Sequence, residues 1–282
     1  MELELKDVDA LKLAGLARGP RGSVWEICVG LEVHVQVLSA YKLFSAGPAT
    51  ARPGSTRHLL SIGSEASACG SRADARHINT AGWCEPNDSF DPNSRVAPFD
   101  AALPGTLPVP SRESVVQAVR CALLLGSSVQ HESRWERKHY FYADLPHGYQ
   151  ITQQDNPIAR GGSISVHVPV RDFARGSQRR LQRGLDRRVE IERLQLEMDS
   201  GKAQHTADPT ASLFDLGRAG SALIEVVTRP SMRSADEAGA FLQSLQQEAV
   251  RAGISDGRME AGSLRCDVNV SVRPARSSVL SA

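Results

Sequence analysis

Cysteine is scarce in this chain and nowhere clustered. The five cysteines, Cys28, Cys69, Cys84, Cys121 and Cys266, include no CxxC pair, which argues against both a zinc knuckle and a disulfide framework and predicts reduced, mostly buried thiols. An excess of one charge is also lacking. With 33 Lys and Arg against 32 Asp and Glu, the formal net charge of +1 gives no global pull toward nucleic acid or membrane, so any nucleic-acid contact must use local patches. No apolar run approaches the roughly 18 residues of a spanning helix, so a membrane is not an expected partner. No GxxxxGK[ST] phosphate loop occurs; Asp199-Ser200-Gly201-Lys202 offers small residues and a lysine without that spacing. Residues 1–24 mix acids with bases, lack the acid-poor, Arg- and Ser-rich character of a transit peptide, and read as a loose extension.

The remaining composition is ordinary, with 41% hydrophobic and 23% charged residues in 282, enough for a real core. The most telling stretch is Val29-Gly30-Leu31-Glu32-Val33-His34-Val35-Gln36. On a strand its alternation sends Leu31, Val33, Val35 and Val37 to one face and Glu32, His34 and Gln36 to the other. A carboxylate and an imidazole two residues apart on one face suit a divalent ion, although a solvated polar face would show the same pattern. Three further segments offer carboxylates. Residues 189–199 place Arg193, Gln195, Glu197 and Asp199 on one face. The run Ala222–Val227 is apolar except for Glu225, whose burial demands an ion pair, a proton or a metal. Residues 263–272 alternate strictly, with Arg265, Asp267 and Asn269 opposite Leu264, Cys266, Val268, Val270 and Val272.

Two helices are expected. Ser111 caps the first, with Val115, Val116, Val119, Ala122 and Leu123 as its apolar stripe and Gly126 at its end. Ser234 and Glu237 form a capping box for the second, with Ala238, Phe241, Leu242, Leu245 and Ala249 as its stripe up to Gly253. Residues 134–154 hold three of the four tyrosines behind the basic triplet Arg137-Lys138-His139, a composition suited to a nucleotide or an anionic substrate end, or simply to a half-buried aromatic hairpin. Eight arginines between 171 and 193 read as a solvated hairpin able to touch phosphate. Residues 49–82, rich in Gly, Ser, Ala and Arg, read as a disordered insertion. The expected architecture is α+β, a mixed, largely antiparallel sheet with flanking helices.

In order, VGLEVHVQ (29–36), ALPGTLPV (102–109), RKHYFYADLPHGYQITQ (137–153), LEMDSGK (196–202), IEVVTRP (224–230) and MEAGSLRCDVNVSVRP (259–274) resemble the N-terminal cradle of the B subunit family of aspartyl/glutamyl-tRNA amidotransferases. The resemblance implies a cradle domain over 25–282 and an ATP-dependent carbon–nitrogen ligase with glutamine as amido donor. ATP and Mg²⁺ would be used to phosphorylate the side-chain carboxylate of Glu-tRNA(Gln) or Asp-tRNA(Asn), which ammonia from a glutaminase subunit then amidates. A small third subunit or its organellar equivalent would complete the complex, with no DNA or membrane partner. By motif position Glu32, His34, Glu197 and Glu225 are the implied metal ligands. Glu32, His34 and Lys138 are the implied catalytic residues, Lys138, Lys202, Arg137 and Tyr140 the implied nucleotide contacts, and Asp267 a further candidate.

The chain departs from the family at residues 49–82, at Gly217, where Asn is usual, and at Met198, where a polar residue is common. It also stops soon after Pro274, so the cradle is expected to be incomplete and the helical and tRNA-gripping tail domains absent. The insertion favours a mitochondrion over a plastid or bacterial cytoplasm. The rival readings are another metal-dependent phosphotransfer enzyme and a non-catalytic assembly or tRNA-binding fragment.

Overall fold

The computed structural model describes residues 15–19, 23–49, 93–171, 181–205 and 212–275. Its organising element is β2 (Val24–Gln36), thirteen residues whose β-branched side chains alternate with polar ones as a sheet with one apolar face requires. Three strands pair with it, all antiparallel: β1 (Leu16–Arg18) against 24–26, β11 (Ala222–Thr228) against 32–36, and β12 (Leu264–Pro274) against 25–35. The loose extension expected over 1–24 therefore ends in ordered chain, because Leu16 is buried and the pairing of β1 with β2 satisfies its backbone. Residues 1–14 and 20–22 lie outside the described residues.

Beyond β11 the sheet continues through β8 (Leu181–Met198) to β6 (Ala159–Arg160) and β3 (Ser128–Val129), and β7 (Ser163–Arg171) pairs with the first half of β8. The arginine-rich hairpin expected over 171–193 corresponds to the junction of β7 and β8, whose turn is outside the described residues. The insertion expected over 49–82 is likewise outside them, apart from Ala49, which is buried and donates to the Ala40 carbonyl at 3.2 Å. Two short hairpins complete the strands: β4 (Glu136–His139) with β5 (Tyr149–Thr152), and β9 (Lys202–His205) with β10 (Ser212–Asp215). All described pairings are antiparallel, and with two helices the fold is α+β.

Helix α1 (Arg112–Leu124) begins where Ser111 accepts a hydrogen bond from the Ser114 amide, and α2 (Ala235–Arg251) where Ser234 accepts from the Glu237 amide. In α2 the buried residues Phe241, Leu245 and Ala249 lie on the expected stripe. In α1 the expected stripe holds at Val115, Val119 and Ala122, which pack against the core, and fails at its edges. Val116 and Leu123 are exposed, while Ser114, Gln117, Ala118, Cys121 and Ala122 are buried, because the small side chains let the helix approach the sheet closely. Both helices contribute to the core beneath the apolar face of the sheet, where Leu31, Val33, Val35, Leu194, Leu196, Met198, Ile224 and Val226 meet. Burial of each such side chain stabilises the fold by roughly 1.5–3 kcal/mol. Met198, one of the family departures, therefore lies in the core, on the side away from Glu197. Among the described residues Cys28 and Cys121 are buried free thiols and Cys266 a half-buried one.

Candidate metal centre

On the opposite face, strand register assembles polar side chains from four strands into rows. Arg265 of β12 lies opposite His34 of β2, His34 opposite Glu225 of β11, and Glu225 opposite Gln195 of β8. Two residues along, Asp267, Glu32, Val227 and Arg193 form a second row. On the other side Gln36, Leu223 and Glu197 form a third. Directly opposed residues of antiparallel strands share a face, so each row presents its side chains together.

His34, Glu197 and Glu225 converge, each offering a ligand atom within 4.8 Å of the others. His34 Nε2 is 3.0 Å from Glu197 Oε1. Gln195 donates to Glu225 Oε2 at 2.6 Å and to Thr152 Oγ1 at 3.2 Å, and the Thr152 hydroxyl donates to Glu197 Oε2 at 3.2 Å. Both carboxylates are buried. Burial disfavours charge on His34, but the hydrogen bond to Glu197 and the charges of Glu197 and Glu225 outweigh it, so its pKa is raised. Burial also opposes ionisation of Glu197, yet the hydrogen bond and charge of His34 hold its pKa below the ordinary carboxylate range. Glu225 takes the remaining strain: burial first, then repulsion by Glu197, raise its pKa to about 7.

Two carboxylates and an imidazole in this geometry fit a divalent cation. The hard oxygens suit Mg²⁺, and the ring nitrogen extends the choice to Mn²⁺. The raised pKa of Glu225 supports this fit, since a cation at the cluster would relieve the repulsion that raises it.

Three of the four expected ligands are thus brought together. Glu32 sits in the adjacent row, accepting from Asn269 Nδ2 at 3.2 Å, with its charge acting on Glu225. Asp267 is exposed beside Glu32. Lys138 is exposed on β4, and its charge acts on Glu197. Alternation along β4 turns Arg137 to the other face of the hairpin, where its guanidinium lies 4.9 Å from the Tyr149 ring centroid. Tyr140 is half-buried, its hydroxyl 3.5 Å from Asp144 and its ring packed on Tyr142. Lys202 sits on the β9–β10 hairpin opposite Asp215, where its charge acts.

Sequence reasoning missed Thr152, for which no local signal exists, and the partnership of Asp199, Arg218 and Arg265. Asp199 Oδ2 is 2.7 Å from Arg265 Nη2 and 3.3 Å from Arg218 Nε, and Oδ1 accepts from the Ser200 amide at 2.9 Å. Burial raises the Asp199 pKa, and the two arginines pull it back toward ionisation. Gly217 lies in the turn carrying Arg218, its amide donating to Asp215 Oδ1 at 2.8 Å.

A family model described as the GatB/GatE catalytic domain matches residues 73–282. The chain is 40% identical to the mitochondrial B subunit of glutamyl-tRNA(Gln) amidotransferase from Phytophthora infestans, over 93% of this chain and 45% of that protein. It is 45% identical to the B subunit of aspartyl/glutamyl-tRNA(Asn/Gln) amidotransferase from Granulibacter bethesdensis, over 89% and 42%. Identity is 43% to the chloroplastic/mitochondrial B subunit of glutamyl-tRNA(Gln) amidotransferase from Ostreococcus tauri, over 92% and 41%. The chain spans less than half the length of these curated relatives.

Proposed function

The chain belongs to the GatB/GatE catalytic-domain family, and on that premise we propose that it carries the kinase and amidation site of a tRNA-dependent amidotransferase, working with glutaminase and small accessory subunits on Glu-tRNA(Gln) or Asp-tRNA(Asn). The observation that carries the reading is the convergence of His34, Glu197 and Glu225 from three strands, each within a segment that resembles the family.

A carboxylate is a poor electrophile because its oxygen is a poor leaving group. In the proposed reaction a side-chain carboxylate oxygen attacks the γ-phosphorus of ATP and ADP departs. Ammonia then attacks the acyl carbon and inorganic phosphate leaves, with one proton lost from nitrogen as the amide forms. His34, Glu197 and Glu225 would hold Mg²⁺, which when bound neutralises charge between the two anions. Gln195 and Thr152 fix the orientation of Glu225 and Glu197 through the hydrogen bonds given above. Lys138, exposed on the hairpin and acting on Glu197 through its charge, would meet the phosphate or the activated carboxylate. The relatives named as mitochondrial and as chloroplastic/mitochondrial favour an organelle as the site of action, and the bacterial relatives keep the bacterial cytoplasm as the alternative.

The test is ATP consumption by the chain reconstituted with the glutaminase and small subunits of a related enzyme. Turnover that needs both the mischarged tRNA and Mg²⁺, and collapses in His34→Ala and Glu32→Ala, is the expected outcome. A folded chain that binds the glutaminase subunit without consuming ATP would instead be an assembly fragment. We further propose that the polar face of β12 carrying Arg265, Asp267 and Asn269 borders the route by which ammonia reaches the site; Asn269 is exposed there and donates to Glu32. Asn269→Leu is expected to impair glutamine-dependent amidation while ATP consumption persists, and equal loss of both would refute that route.

A further inference from the structure

A buried carboxylate that receives two guanidinium groups on one oxygen leaves a surplus positive charge. Asp199 is in that position, its side chain only 2% exposed, with Arg265 and Arg218 both on Oδ2. Arg218 is committed elsewhere as well, donating to the Ser200 carbonyl at 3.1 Å and the Gly201 carbonyl at 2.8 Å. Arg265 is not. Its Nη2 is held by Asp199 and its Nε is buried without a partner, yet the side chain is 35% exposed, so the rest of the guanidinium is open to a ligand. The backbone of Asp199 is fixed in turn, its amide donating to Ser221 and its carbonyl accepting from Gly220, both at 2.8 Å. Arg265 stands directly opposite His34, at the head of the row that runs through Glu225 to Gln195. A guanidinium is thus anchored at the margin of an acidic cluster that would otherwise repel an anionic ligand.

We propose that Arg265 is the oxyanion-binding group of this site, receiving a phosphate oxygen beside the cation held by His34, Glu197 and Glu225, and that Asp199 is its positioning residue. The natural ligand, a transferred phosphoryl group, rests on the reading given under Proposed function. The chemistry of the contact does not, because any inorganic or organic phosphate offers the same oxygens to the guanidinium fork.

The test uses the full chain with two separate probes: Mn²⁺ binding followed by electron paramagnetic resonance, and inorganic phosphate binding followed by ³¹P NMR with saturating Mg²⁺. In Arg265→Gln, phosphate affinity is expected to fall by about tenfold or more, the loss of one charge-assisted contact. Mn²⁺ affinity should rise modestly, because a repelling charge has gone. Opposite signs are the signature, since a merely damaged fold weakens both probes. Arg265→Lys should recover part of the phosphate affinity, keeping the charge without the fork. Asp199→Asn separates positioning from charge: losing an acid would by itself strengthen phosphate binding, whereas releasing Arg265 weakens it, and weakening is expected.

Wild-type protein that fails to bind phosphate, or an Arg265→Gln variant that binds it undiminished, would overturn the assignment. Tighter phosphate binding in Asp199→Asn would overturn the positioning role. If the binding pattern holds but the reconstituted complex consumes no ATP with mischarged tRNA, the functional reading fails and the anion site stands.

Discussion

Asp100→Ala is expected to destabilise the protein by about 3–5 kcal/mol at pH 7, the range for breaking a buried ion pair from one side. Lys42 and Asp100 are both fully buried, Nζ to Oδ2 at 2.8 Å. The same ammonium donates to the Leu216 carbonyl at 3.3 Å, and Asp100 also accepts from the Ser45 hydroxyl at 2.8 Å and the Ala97 amide at 2.9 Å. The pair therefore joins the chain after β2 to the turn before β11, the turn that also carries Arg218. Without Asp100 the ammonium is desolvated and unpaired, and the acceptor for Ser45 and Ala97 is gone.

Burial already lowers the Lys42 pKa, opposed by Asp100, and the variant removes that opposition. A folded-state pKa below the unfolded value means the native state sheds its proton first, so the variant should regain stability as pH rises between the two values. Urea unfolding of wild type, Asp100→Ala, Lys42→Met and Lys42→Met/Asp100→Asn at pH 7 and 9 checks this. The double variant, with no unpaired charge and an amide oxygen left for Ser45 or Ala97, should lose less than the sum of the two single losses. A cost below about 1 kcal/mol for Asp100→Ala would show that the pair contributes little.

That ion pair also marks a limit of what the sequence could reveal. Lys42 reads as one more loop lysine, because its partner lies 58 positions away and nothing local to either residue announces the other. The polar face of β2 was legible, since alternation within one strand is a local property. Glu225 was legible as an anomaly, an acid in an apolar run that had to be paired, protonated or bound to metal. Which residues meet across the sheet was not legible. The row Arg265, His34, Glu225, Gln195 depends on the register of strands as far apart as β2 and β12, and a shift of one residue would turn every side chain to the other face. Helix α1 was legible in part. Counting apolar residues selected Val115, Val119 and Ala122, which do pack against the core, but also Val116 and Leu123, which are exposed, and it passed over the small buried side chains of Ser114, Ala118 and Cys121.

Glu225→Gln is expected to make the metal-free protein more stable while weakening its affinity for divalent cations. The folded-state pKa of about 7, against an ordinary 4.5, means the native state holds this proton more tightly than the unfolded chain does. Between those values the native state binds more protons, so stability falls as pH rises through the window, and the full loss is present above pH 7. A gap of about 2.5 pH units corresponds to roughly 3 kcal/mol. Glutamine keeps an acceptor for Gln195 and carries no charge, so the variant should exceed wild type in thermal stability at pH 8 and match it near pH 4.5, both measured in chelator. Mn²⁺ affinity should fall on the order of 100-fold with the loss of an anionic ligand. In wild type the affinity should drop by more than about tenfold for each pH unit below 7, as the cation has to displace protons from both Glu225 and His34. A variant no more stable than wild type at pH 8 would show that the carboxylate is not strained there. The expected opposite signs follow from one cause: two buried carboxylates, Glu197 and Glu225, are held closer than their charges favour, at a cost in stability that a bound cation removes.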